Sequence, residues 1–122
     1  MTWRLIPAGL AALALWPAAA LAHAVLVKSV PAQRAALVEP PPRVELFFNE
    51  RLEPAYSKAS VTNEAGIQVD LRDVAVSAED PRRLSVSLPA LAPGRYTVSF
   101  RVLSVDGHVV ESKLTFTVKD RR

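Results

Sequence analysis

The sequence predicts an all-β sandwich, and three observations carry that reading. Short apolar runs alternate with turn signals along the chain. No segment sustains a helical period. The clearest runs place apolar residues at every second position, the period of a strand with one buried face.

The elements follow in order. Ala24 to Val30 reads as a first strand, ended by Pro31. Gln33 to Val38 can form one helical turn, which Glu39-Pro40-Pro41-Pro42 would stop. Arg43 to Phe48 alternates, with Val44, Leu46 and Phe48 on one face and Phe47 breaking the pattern. Ser57 to Thr62 is a third strand and Ile67 to Leu71 a fourth, joined by Asn63-Glu64-Ala65-Gly66. Arg83 to Leu88 is a fifth, with Leu84, Val86 and Leu88 inward. Pro93-Gly94 sets a turn before Tyr96 to Leu103, whose Tyr96, Val98, Phe100 and Val102 share a face. A tyrosine just after such a turn resembles the tyrosine corner of Greek-key sandwiches. The last strand, Lys113 to Lys119, turns Leu114, Phe116 and Val118 inward. Seven strands at this spacing predict an Ig-like Greek-key β-sandwich or barrel of antiparallel strands.

Residues 1–22 stand apart from that pattern. Met1 to Arg4 is a short basic start, Leu5 to Leu21 is almost wholly apolar, and Ala20-Leu21-Ala22 places small residues where a signal peptidase reads. This is a secretory signal, expected to be cut after Ala22. Pro7, Pro17 and the A-x-A end argue against the plain alternative, a membrane helix. Residues 23–122 then form one soluble, exported domain. With the signal goes Arg4, so the net charge falls from +3 to +2. So mild a charge, spread along the chain, gives no reason to expect a nucleic-acid partner.

Cysteine is absent, and the only methionine is Met1. Thiolate metal sites and cysteine nucleophiles are thereby excluded, and the exported domain has no sulfur ligand of any kind.

The chain has two histidines, His23 and His108. Cleavage after Ala22 makes His23 the first residue, with a free α-amine beside its imidazole. Amine and ring Nδ1 can close a chelate ring on a metal, and pKa values of roughly 8 and about 6.5 let both give up their protons to a strong Lewis acid near neutral pH. His108 can add a second imidazole. Asp106 lies two residues before it, and in an extended segment the two share a face. Such a nitrogen-rich set suits Cu(II); zinc, which prefers a tetrahedron, ranks second, and Cu(I) prefers soft sulfur. The plain alternative for Asp106-Gly107-His108 is an exposed turn, since Asp-Gly is a common turn signal.

Four stretches resemble the CopC family of copper-resistance proteins. They are His23-Ala24-Val25-Leu26 with Ser29, Pro31 and Ala32; Val44 to Glu50 followed by Leu52-Glu53-Pro54; Leu91 to Val98; and Arg101 to His108. The N-terminal His and the S-x-D-G-H segment are the most specific parts. The resemblance implies a periplasmic Greek-key domain that binds one Cu(II) per chain through His23, Asp106 and His108. It also carries over Glu50, from the F-x-E segment, as an axial or supporting group; the plain reading of Glu50 is a solvated acid at a strand end. Family members with two copper sites carry a methionine-rich loop for Cu(I). The corresponding stretch here, about Gly66 to Arg83, has no methionine, as in a one-site, Cu(II)-only form. Val109, Glu111 and Lys113 also depart from the family pattern, which bears on partner contacts rather than on ligands.

The expected function is copper sequestration and homeostasis by ligand exchange in the periplasm, without enzymatic activity. The expected partners are the copper ion and an inner-membrane copper transporter, with the protein itself a monomer. Two rival readings use the same features. A copper-brace oxidase or monooxygenase also employs an N-terminal His with a second His, but Asp106 occupies the neighbourhood and the short chain offers little surface for a polymer. A metal-free Ig-like interaction module would fit the fold alone.

Overall fold

The computed structural model describes residues 25–121. The expected signal segment and His23 lie outside the described residues. Among the described residues, eight strands form two four-stranded sheets packed face to face. One has the order β1-β3-β6-β5 and the other β2-β8-β7-β4. The strands are β1 (Leu26–Val30), β2 (Ala35–Leu37), β3 (Arg43–Phe48), β4 (Lys58–Thr62), β5 (Ala75–Val76), β6 (Arg83–Ser87), β7 (Gly94–Leu103) and β8 (Val109–Val118). A 3-10 turn, Pro54–Tyr56, precedes β4. No helix among the described residues is long and apolar enough to cross a membrane.

The expected alternation makes the core. Val44, Leu46, Leu84, Val98, Val102 and Phe116 are fully buried between the sheets. Phe48 from one sheet meets Phe100 from the other edge-to-face, with ring centroids 5.7 Å apart. That geometry places the positive ring edge of one against the negative face of the other. Phe47, which breaks the alternation, faces outward opposite Lys28, whose ammonium sits 5.4 Å from its ring centroid. Tyr96 forms the expected corner: its hydroxyl donates to the Ala92 carbonyl at 2.6 Å. Burial, then the charge of Glu64, pushes its phenol above the ordinary value.

The structure corrects three local expectations. Gln33 to Val38 makes no helical turn: residues 35–37 form β2, which pairs parallel with β8, so that sheet is mixed rather than wholly antiparallel. The exposed edge of β8 supplies more bonds than one helical turn could. Arg34 N–H donates to Thr115 O, Lys119 N–H to Leu37 O, and Thr115 N–H to the Gln33 side chain. Ile67 to Leu71 makes no strand; only Gln68 bridges back, to Thr62. The buried Asp70 carboxylate takes the place of a ladder, accepting from Val61 N–H and Arg72 N–H, each at 2.8 Å, and from Gln68 Nε2. Finally, β8 starts at Val109 rather than Lys113, because β7 pairs with it over ten rungs. The polar run Glu111-Ser112-Lys113 hides that strand from an alternation argument.

Candidate metal centre

The β7–β8 hairpin closes on residues 104–108. Ser104 is 1% exposed and organises the turn. Its N–H donates to His108 O and its carbonyl accepts from Gly107 N–H, both at 2.9 Å. Its hydroxyl accepts from His108 N–H at 3.2 Å. Gly107 has φ +91°, the left-handed region that disfavours a Cβ. Asp106 and His108 therefore flank a chain reversal and are not in the extended segment that would place them on one face. A tight loop brings them together instead.

Glu50 arrives from the other sheet. After β3, the chain crosses to the end of β7. Leu52 bridges to Ser104, Glu53 N–H donates to Leu103 O at 2.8 Å, and Val105 N–H donates to Arg51 O at 2.9 Å. Leu52, 2% exposed, anchors this crossing in the core. The result is a cluster in which one ligand atom each of Glu50, Asp106 and His108 lies within 4.8 Å of the other two. Asp106 is exposed, while Glu50 and His108 are half-buried.

The electrostatics of this cluster favour a cation. Oε1 of Glu50 is shut off from solvent and has no hydrogen-bond partner. The Glu50 carboxyl is pushed above the ordinary carboxylate range. The main cause is the Asp106 carboxyl, close enough to share a proton with it. Burial and the charge of Asp106 push the same way, while His108 and Ser104 oppose. A Glu50 carboxyl of raised proton affinity, with the Asp106 carboxyl and an imidazole beside it, forms a donor set that a divalent cation would relieve.

The start of the described chain is tied to the same place. Val25 N–H donates to Asn49 Oδ1 at 2.6 Å, and Asn49 N–H donates to Val25 O at 3.1 Å. Asn49 immediately precedes Glu50. Sequence reasoning gave Asn49 no part; an amide side chain at a strand end, next to a candidate ligand, was the available signal. Of the four residues singled out as ligands, three converge, and His23 lies outside the described residues.

Known proteins resemble this chain in sequence and in fold. The CopC domain family model matches residues 26–119. The chain is similar to the crystal structure of CopC from Methylosinus trichosporium OB3b, with a TM-score of 0.76, 40% identity, and coverage of 82% of this chain and 97% of that one. Copper resistance protein C of Xanthomonas campestris pv. juglandis is 35% identical over 108 residues, 84% of each chain. Copper transport protein CutJ of Bacillus subtilis (strain 168) is 30% identical over 103 residues, which are 84% of this chain and 19% of that protein.

Proposed function

The chain belongs to the CopC family, which handles copper, and from that premise we propose that it is a periplasmic protein that takes up one Cu(II) ion at its processed N-terminus. The ligands in this reading are the α-amine and imidazole of His23, the imidazole of His108 and the carboxylate of Asp106, with Glu50 axial or supporting. Its action is ligand exchange: it sequesters copper and passes it to an inner-membrane transporter, with no bond made or broken in a substrate.

The observation that carries this reading is the convergence of Glu50, Asp106 and His108 within 4.8 Å, beside the pinned Val25. Two residues of extended chain span at most about 7 Å, so His23 is tethered within that reach of Val25. Cleavage after Ala22 would free its amine there. Nitrogen donors with adjoining carboxylates, and no sulfur, favour Cu(II) over Cu(I). The transporter as recipient is supported by CutJ, a copper transport protein of which the similar region is about a fifth.

Electron paramagnetic resonance of the processed, untagged protein with one equivalent of Cu(II) tests the reading. A single axial signal with nitrogen couplings, lost in His108→Ala, is expected. A spectrum of heterogeneous, weakly held copper would overturn it.

A further inference from the structure

The two outer faces of the sandwich treat their cations differently. On the face of β1, β3 and β6, Arg43 and Arg83 both approach Glu45, at 3.5 and 3.7 Å, and Lys28 sits over Phe47. On the face of β4, β7 and β8, Lys58 and Arg101 stand directly opposite one another, both exposed, in the rung Lys58–Arg101–Glu111. Neither makes an ion pair among the described residues, and the same holds for Lys113 in the next outward rung, Ser60–Ser99–Lys113. Like charges directly opposed across a strand pair are destabilising, and Glu111 alone in these rungs leaves the three cations Lys58, Arg101 and Lys113 in excess.

The residues of these two rungs line a groove of about 700 Å³. The 68–74 segment forms a further part of its lining and contributes a fourth cation, Arg72. That wall is fixed. Asp70 holds it to β4, and Arg72 itself is held at φ +61° with its N–H bonded to Asp70 Oδ1, a conformation that non-glycine residues adopt only when their surroundings impose it.

We propose that this groove docks an extended, carboxylate-rich segment of a partner protein. Outward rungs of a sheet repeat about every 7 Å, and so do same-side residues of an extended chain. Successive carboxylates on every second residue of such a segment would meet the Lys58–Arg101 pair and then Lys113. Arg72 closes on the segment from the side wall. A single small anion cannot span both rungs, and a recessed groove is poorly shaped for a flat membrane surface. The aliphatic stems of the lysines and arginines give the segment apolar contact as well. The Lys58–Arg101–Glu111 rung lies one outward rung from Leu103–Val109, where the loop bearing Asp106 and His108 begins. A docked partner is thus held at the metal-cluster end of the sandwich. Its use in copper transfer rests on the function proposed above; the groove's preference for acidic chains does not.

The test is fluorescence anisotropy of a labelled hexaglutamate peptide with the processed, copper-free protein at low ionic strength. Saturable binding is expected, weakened about tenfold in Lys58→Ser/Arg101→Ser. Binding is expected to be unchanged in Lys28→Ser/Arg43→Ser on the opposite face and tighter in Glu111→Lys. Equal losses in the two double variants would reduce the effect to net charge and overturn the proposal. So would tripolyphosphate or phosphatidylglycerol vesicles competing fully through the same two cations, which would identify a small anion or a lipid surface as the occupant. The Cu(II) spectrum of Lys58→Ser/Arg101→Ser is expected to match that of the unsubstituted protein. Peptide binding and copper binding therefore fail independently, and thermal melting confirms that each variant is folded.

Discussion

The carboxyls of Glu50 and Asp106 come within 4.8 Å of each other although they arrive on different sheets, Glu50 after β3 and Asp106 from the β7–β8 loop. Asp106 makes the ionisation of Glu50 less favourable, and the proton affinity of Glu50 is raised. Glu50 thus has its folded pKa above its unfolded one. Above both, the ionised carboxylate costs stability; as pH falls through the raised folded value and then the unfolded value, that cost is relieved. Glu50→Gln is therefore expected to hold or raise the melting temperature of the metal-free protein at neutral pH and to flatten this acid-side gain. A clear loss of stability in Glu50→Gln would mean that the two carboxyls do not repel.

Loss of the Glu50 carboxylate should act in the opposite sense once copper is present. Titration of the processed protein with Cu(II) is expected to show Glu50→Ala weakening binding by about 10- to 100-fold, the range of a supporting group, and His108→Ala weakening it more. The reverse order would move the principal ligand from His108 to Glu50.

An uncut or extended N-terminus removes the α-amine from the donor set. A retained methionine or tag before His23 is expected to weaken Cu(II) binding by orders of magnitude while leaving the melting temperature of the metal-free protein unchanged. Equal affinity in the two forms would remove the terminal chelate from the mechanism.

Asp70 holds the 68–72 segment against β4, and its carboxylate is the acceptor for two backbone N–H groups and the Gln68 amide. Asp70→Ala leaves Val61 N–H unpaired in a buried position. It is expected to cost about 2 kcal/mol, seen as a melting temperature lower by roughly 10 °C. Cu(II) affinity of the folded fraction should be unchanged, since no candidate ligand touches this segment; a parallel loss of affinity would show that the groove wall and the metal cluster are coupled.

Of the six expected strands that formed, the clearest were legible because one face of each is buried, and burial imposes a period of two on the sequence. Val44-Leu46-Phe48 and Tyr96-Val98-Phe100-Val102 state that period openly. β2 and β5 are short edge strands whose pairing is chosen by a neighbour's open edge, so Ala35-Ala36-Leu37 and Ala75-Val76 carry no period to read. Residues 67–71 failed in the other direction: their composition suits a strand, but Asp70 satisfies the backbone of β4 in place of a ladder.

The sequence by itself determined the fold class, the family and which residue types could meet a copper ion, because burial period and donor chemistry are properties of the side chains alone. Only the tertiary structure decided how the candidates meet. Asp106 and His108 converge through a loop turned at Gly107 rather than through strand alternation. Glu50 joins them because the crossing at Leu52 is buried and hydrogen-bonded to the end of β7. The opposed cations Lys58 and Arg101 likewise exist as a pair only in the β4–β7 register. Register and loop geometry are set by contacts between segments far apart in the chain, and no local pattern of residues encodes them.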